Sequence, residues 1–372
     1  MWDRAVKESR MWIAHPPVVA RALGVSLLAA ALVLPAASAE ARVKTVYAGP
    51  PGPLAGAPRG LELNGFYRRT VTINEGDTVR WRFRGFHTTT FVPRGQRPPP
   101  FVIADPANPT SGVRDAVGNP FWFNGQPSLL INPRVGVRVG SSSTDGRSYR
   151  NSGLPADRPR DYRLKFTRAG NHRYLCIVHP GMEGTVRVLG RGRATPSARR
   201  DTGAARAEAA SATRSSRRLN AYRPAGNRVV AGHDRRDVAL LKFFPAVKSI
   251  ALGESVEFSV SSRSEIHNVS FGPPAYRAQA ARDIVMPRPP AAPGGAPRLV
   301  LNPLVFLPSD PPPGLPPYDG ANHGNGFLST WALDTDPSSP APDRQTVRFN
   351  RRGSFQFECL IHPGMRGTVN VR

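Results

Sequence analysis

Two short segments of the chain carry the same side chains, all of which can bind a metal ion. Each has a cysteine, a histidine and a methionine at three-residue spacing: Cys176, His179 and Met182 in the first segment, and Cys359, His362 and Met365 in the second. A soft thiolate, an imidazole and a thioether on one short loop suit copper better than zinc. Each segment therefore predicts part of a copper site.

Each predicted site needs one more ligand. Two histidines and one cysteine in a plane, with a methionine at a longer distance, form the ligand set of a blue-copper electron-transfer site. His87 in the first half and His267 in the second half are the candidates for the missing imidazole. We therefore predict one copper per half, bound by His87, Cys176, His179 and Met182 in the first and by His267, Cys359, His362 and Met365 in the second.

Strands are expected to position these ligands. Apolar and polar residues alternate in segments 79–83 and 162–166 before the first cysteine, and in segment 256–260 of the second half. A period of two places alternate side chains on opposite faces of a strand, so Val79, Trp81 and Phe83 should face a core. The 40 prolines and 35 glycines fit short strands with long irregular connections. An all-β fold is predicted.

The two halves are copies of each other. His87 and His267 are 180 residues apart, and the three loop ligands are each 183 residues apart. At this period each copy is a whole domain, and we predict domains at 43–189 and 228–372. Residues 190–227 are rich in alanine, serine and arginine and are predicted to be a flexible basic linker, with a transient helix at its alanine-rich centre as an alternative. Long inserts rich in proline and glycine interrupt each copy between its upstream histidine and its closing strands.

The arrangement of these ligands resembles the cupredoxins, the family of plastocyanin, pseudoazurin and amicyanin. The Cys-x-x-His-x-x-Met spacing is similar to the short ligand loop of amicyanin. The resemblance implies two Greek-key β-sandwiches in tandem. It also implies that His179 and His362 form the exposed edge of each site, beside Ile177, Val178, Leu360 and Ile361, which form either an apolar rim or part of the core.

The residue after the upstream histidine differs between the two copies. In several cupredoxins an asparagine at this position braces the ligand loop. Asn268 matches that pattern and Thr88 departs from it. Because hydrogen-bond partners of the ligands tune a metal site, the two coppers are expected to differ in reduction potential.

Two copper enzymes that resemble this chain have features that it lacks. The trinuclear cluster of multicopper oxidases needs several His-x-His pairs, and the sequence has none. Copper nitrite reductase has a histidine directly before the blue-copper cysteine, where this chain has Leu175 and Glu358. We therefore predict that the protein transfers single electrons and is not an enzyme. Copper storage or delivery, and an envelope interaction protein with structural copper, remain alternatives.

The N-terminus predicts export. Residues 1–39 combine basic residues, an apolar run at 22–34 and the cleavage pattern Ala37-Ser38-Ala39, as in a secretory signal peptide. The run is short for a membrane span, so no transmembrane segment is expected in the mature protein, which would be periplasmic or secreted. The chain has two cysteines, one in each ligand loop, and the matching ligands beside each favour metal binding over a disulfide.

The net charge indicates the kind of partner. The charge is +25 at pH 7, and the first 39 residues contain four basic and two acidic residues, so the remainder carries +23. Such a charge favours acidic partners or anionic surfaces. We expect an acidic redox partner protein, possible contact with an anionic envelope surface, and no specific nucleic acid.

Overall fold

The computed structural model describes residues 41–155 and 161–372. The predicted signal peptide lies outside these residues. The described chain is all-β with few helices, as the sequence predicts. No helix in the described ranges combines the length and the apolar character that a membrane span requires.

The first half contains short strands separated by long connections. In chain order these are β1 Val43–Ala48, β2 Leu61–Leu63, β3 Phe66–Tyr67, β4 Thr70–Asn74, β5 Thr78–Phe83, β6 Thr90–Phe91, β7 Val102–Pro109, β8 Pro127–Ile131, β9 Ser143–Thr144, β10 Arg150–Asn151, β11 Tyr162–Phe166, β12 Gly170–Leu175 and β13 Glu183–Leu189. One helical turn, α1 Pro133–Gly136, lies in the insert.

The second half begins after a long helix, α2 Ala198–Leu219. Its strands are β14 Arg228–Arg235, β15 Val238–Phe244, β16 Val247–Ile250, β17 Ser255–Val260, β18 Ser270–Phe271, β19 Val285–Arg288, β20 Arg298–Leu301, β21 Leu328–Ser329, β22 Arg344–Arg348, β23 Gly353–Glu358 and β24 Arg366–Val371. Its insert holds α3 Pro274–Arg282, α4 Pro303–Phe306 and a 3₁₀ turn at Asn322–Gly324.

Each half supplies most of a β-sandwich. In the first, the sheet β3-β1-β5-β11-β9 faces the sheet β10-β6-β12-β13-β4. Val79 and Trp81 are fully buried between these sheets and Phe83 is half-buried, on the face that the alternation predicts. In the second, β2-β15-β14-β17-β22 faces β16-β24-β23-β18-β21 around Phe258 and Phe357. Two packed sheets around one apolar core are the simplest way to bury one face of each sheet.

Strands cross between the two sandwiches. Strand β2 lies in the first half of the sequence, but it pairs with β15 in a sheet of the second sandwich. The two inserts also build one four-stranded sheet together, in the order β19-β20-β8-β7. The inserts, for which the sequence suggested no role, therefore join the two halves.

Polar contacts reinforce the joint between the inserts. The Trp122 indole N–H donates to the Pro308 carbonyl oxygen at 2.9 Å. His323 lies between two carboxylates, 3.2 Å from Asp310 and 3.6 Å from Asp115. The hydrogen bond with Asp310 and the charges of both carboxylates raise the pKa of His323. His323 is therefore part of this joint. A histidine in a loop would ordinarily be expected on the surface without such partners.

The predicted flexible linker is wrong for most of its length. Segment 190–227 contains the 22-residue helix α2, which starts at an N-cap, Ser197, whose hydroxyl accepts from the Arg200 N–H. Ala205, Ala209 and Ala212 are buried at helical spacing against strands of both halves. The sequence pattern did not reveal this face because it consists of alanines, which are strong helix formers but carry little apolar surface.

Candidate metal centres

The structure brings His87, Cys176 and His179 into one buried cluster. His87 lies between β5 and β6, Cys176 directly follows β12, and His179 is on the loop between β12 and β13. The two Nδ1 atoms are 3.0 Å apart, and the Cys176 Sγ is 3.6 Å from the His179 Nδ1. All three residues are at most 3% exposed. Their ligand atoms therefore meet at one point with little access for water.

The second copy has the same geometry. The Nδ1 atoms of His267 and His362 are 3.0 Å apart, and the Cys359 Sγ is 3.8 Å and 3.6 Å from them, respectively. The His267 Nε2 is buried without a hydrogen-bond partner among the described residues. The distances above show that Nδ1 is the atom of this ring that faces the cluster.

These triangles fit a three-coordinate metal ion. Metal–nitrogen and metal–sulfur bonds are about 2.0 and 2.3 Å long for zinc-like ions. A metal at the centre of a trigonal set would hold nitrogen and sulfur about 3.7 Å apart and the two nitrogens about 3.5 Å apart. The sulfur–nitrogen separations of 3.6 and 3.8 Å match, and the nitrogens need to open by about half an ångström. The donor set of two imidazoles and one thiolate suits copper.

The methionines close each ligand loop. The Met182 N–H donates to the His179 carbonyl and the Cys176 N–H donates to the Met182 carbonyl, at 3.1 and 2.9 Å. The same two bonds join Cys359, His362 and Met365. Met182 and Met365 are each 2% exposed and pack in the same core as the cysteine of their loop. Their role as axial ligands stays a prediction.

The clusters favour the thiolate form of each cysteine. Burial alone would raise the pKa of Cys359, but the hydrogen bonds and charges of His267 and His362 outweigh it and lower the pKa to about 5. The equivalent histidines also hold the pKa of Cys176 well below its usual range. The thiolate is the form of cysteine that binds metals, so both clusters hold their cysteine in its metal-binding form.

Thr88 makes the hydrogen bond to the ligand loop that the resemblance to cupredoxins predicted only for Asn268. The Leu360 N–H donates to the Asn268 Oδ1 at 2.7 Å, and the Ile177 N–H donates to the Thr88 Oγ1 at 2.9 Å. Both residues therefore connect the upstream histidine to the ligand loop. In the first site the Thr88 N–H also donates to the Cys176 Sγ at 3.3 Å, a contact to the thiolate that tunes a metal site.

The prediction that His179 and His362 form exposed edges is wrong. The side chains are 4% and 13% exposed, because the two ligand loops approach each other on either side of Glu265. Leu360 is fully buried, whereas Ile177, Val178 and Ile361 are half-buried. These residues therefore do not form a solvent-facing apolar rim.

Glu265 lies between the two sites, and the sequence analysis missed it. Its Oε1 is 3.1 Å from the His179 Nε2, and its Oε2 is 3.3 Å from the His362 Nε2. The Asn64 amide donates to Oε1 at 2.5 Å. Burial alone would raise the pKa of Glu265, but hydrogen bonds from both imidazoles outweigh it and hold the pKa well below its usual range. The sequence did contain one difference that could have drawn attention to this residue. The position two residues before the upstream histidine is Glu265 in the second copy and Gly85 in the first.

Glycine at position 232 makes room for a ligand of the second site. Gly232 has a φ of +69°, and a Cβ there would lie 2.1 Å from the His267 Nε2. We expect Gly232→Ala to displace His267 and to weaken metal binding at the second site by at least tenfold, because ligand orientation sets affinity. Site-resolved Cu(I) titration would measure this loss.

Gly192→Ala is the matched control for this prediction. Gly192 has a similar φ of +72° but nothing within 4 Å of the added methyl group. Both substitutions place alanine at a positive φ, which costs about 1–2 kcal/mol. Only Gly232→Ala also brings the new methyl group into collision with a ligand. Equal Cu(I) affinity in the two variants would contradict the prediction.

Comparison with known proteins gives matches among solved structures. No protein-family profile and no curated protein matches the chain. A methionine variant of amicyanin in its Cu(I) form matches at 17% identity over 40% of this chain and 82% of that chain, with a TM-score of 0.20. Oxidised plastocyanin from Dryopteris crassirhizoma matches at 19% identity over 39% of this chain and 99% of that chain, also with a TM-score of 0.20. The neighbours of this chain among these solved structures are thus cupredoxins, matched over about two fifths of its length.

Proposed function

We propose that the chain is an exported copper-binding protein with two type 1 copper sites that acts in one-electron transfer. The observation that carries the proposal is the pair of buried triangles, each formed by two imidazole nitrogens and one cysteine sulfur. The two nitrogens are 3.0 Å apart in each triangle, and all three ligand atoms lie within 4.8 Å of one another. Copper bound there would supply a one-electron couple between Cu(I) and Cu(II).

The chain's own residues would keep the ligand geometry constant. The two cysteines provide thiolates, and His87 and His267 are buried in the connections that lead into β6 and β18. Thr88 and Asn268 tie these connections to the ligand loops. A ligand set that cannot rearrange favours electron transfer, because both oxidation states must use the same geometry.

Charge and burial suggest how a partner would approach. We propose an acidic redox partner, or contact with an anionic envelope surface, because of the large positive charge. The loop imidazoles are covered, but the next residues, Pro180 and Pro363, are exposed. These two prolines mark the accessible parts of the ligand loops, and partner contact is proposed there. Export would follow from the leader at residues 1–39.

The visible spectrum and copper content of the Cu(II)-loaded protein test this function, beside Cys176→Ser and Cys359→Ser. We expect an intense thiolate-to-copper band, two coppers per chain, and the loss of one copper in each variant. A colourless protein that retains no copper would refute the proposal. Unchanged copper content in both variants would show that the metal lies elsewhere.

A further inference from the structure

One carboxylate faces both candidate sites. Glu265 comes from the second half, two residues before His267, and its side chain is 7% exposed. Its two oxygens lie 3.1 and 3.3 Å from the Nε2 atoms of His179 and His362. In each of these rings the other nitrogen, Nδ1, lies in a ligand triangle. Each loop imidazole thus spans from a metal triangle to the same carboxylate.

The chemistry of these groups fixes the proton positions. An ionised carboxylate can only accept hydrogen bonds, so each Nε2 must carry the proton that it donates. The proton on Nε2 leaves the lone pair of Nδ1 for a metal, since the partner of one ring nitrogen sets the role of the other. A single Glu265 therefore holds the Nε2 proton of both imidazoles and directs both Nδ1 atoms into the ligand triangles.

We propose that Glu265 is a positioning residue shared by the two sites, which sets the tautomer of His179 and His362 and thereby their metal affinity. The inference rests on the proposed function, because it assumes that both triangles bind copper. The aligned position in the first half is Gly85, which has no side chain. A Cβ added there would lie 2.7 Å from the His87 Nε2, so the first half has no room for an equivalent carboxylate.

The surroundings of Glu265 predict an asymmetric effect of Glu265→Gln. Glutamine has one oxygen that accepts and one NH₂ group that donates. The Asn64 amide donates to Oε1, the oxygen beside His179. The glutamine oxygen should therefore take the position of Oε1, and its NH₂ group should face the His362 Nε2. His362 must then accept at Nε2 and carry its proton on Nδ1, which blocks the second site.

Site-resolved Cu(I) affinities test this asymmetry in the full chain. Glu265→Gln would be introduced into Cys359→Ser, which leaves the first site, and into Cys176→Ser, which leaves the second, with Cu(I) buffered by a chelator. We expect a loss of about 10- to 100-fold at the second site and less than about threefold at the first. No loss at either site would overturn the proposal. Equal losses at both sites would support the shared role and contradict only the predicted orientation of the glutamine amide.

Glu62→Gln is the matched control. The Glu62 carboxylate lies near His179 and Glu265, with ligand atoms of all three residues within 4.8 Å of one another, and it is half-buried. The substitution removes the same charge close to the sites but keeps the carboxylate between the imidazoles. We expect small changes at both sites, with the larger one at the first site, because Glu62 lies near His179. A loss at the second site as large as that of Glu265→Gln would assign the effect to charge alone and refute a positioning role.

Nitrogen-15 NMR of the metal-free protein separates this inference from the proposed function. In the parent chain the Nε2 atoms of His179 and His362 should both carry a proton. In Glu265→Gln only His362 should lose the proton from Nε2. If the single-site variants bind no Cu(I), the proposed function fails and this spectrum alone decides the role of Glu265. Unchanged protonation of His362 in the variant would refute that role.

Discussion

Asp201→Asn should lower the free energy of unfolding by about 3–5 kcal/mol, the range for breaking a buried ion pair. The Asp201 carboxylate is 3% exposed and lies on α2. It accepts from the Lys44 Nζ at 2.8 Å and from the Arg68 Nε at 2.9 Å. Lys44 is itself 4% exposed. The asparagine would leave this ammonium buried without an opposite charge, so the helix should lose its attachment to β1.

Asp161→Asn is the matched control for this prediction. Asp161 also faces two cations, Arg80 and Arg82, each at 3.7 Å, but its side chain is 35% exposed. Exposed ion pairs contribute about 0–1 kcal/mol. Urea denaturation followed by circular dichroism would compare the variants, and hydrogen exchange would report on residues 198–219. A loss in Asp201→Asn no larger than that in Asp161→Asn would show that α2 is not held by this ion pair.

The ligands of each site were predictable because their types and spacing are local properties. Cys176 and His179 lie on one loop, and the alternation of segments 79–83 and 162–166 predicts two strands, which pair in one sheet of the structure. The bracing residue was predictable only where it was an asparagine. Thr88 makes the equivalent hydrogen bond with a shorter side chain, which no spacing rule could show.

The contacts between the halves were not predictable from the sequence pattern. Glu265 acquires its role only because both ligand loops approach it, and β2 pairs with a strand that lies far along the chain. Such pairings depend on how two sheets meet, and no local periodicity records that. The prediction of exposed imidazoles followed from the family resemblance, and it did not allow for a second copy that covers the ligand loop. The alanine face of α2 was missed for a different reason, its small apolar surface.

Metal binding at either site should stabilise the whole described fold. At a free Cu(I) concentration about 1,000-fold above the dissociation constant, each site should add about 4 kcal/mol to the free energy of unfolding, less any binding by the unfolded chain. Cys176→Ser and Cys359→Ser should each lose about half of the total gain. Thermal unfolding in chelator-buffered Cu(I) without oxygen would measure these shifts, with the double cysteine variant as the control that should not shift.

The strands shared by the two sandwiches predict how many transitions that experiment should show. Strand β2 pairs with β15, and the inserts share the sheet β19-β20-β8-β7, so neither sandwich can unfold without breaking pairs that belong to the other. We therefore expect one cooperative transition, which moves upward when either site alone is loaded. Two separate transitions, each moved only by the metal of its own half, would contradict this expectation. That outcome would mean that the shared strands are too weak to couple the sandwiches.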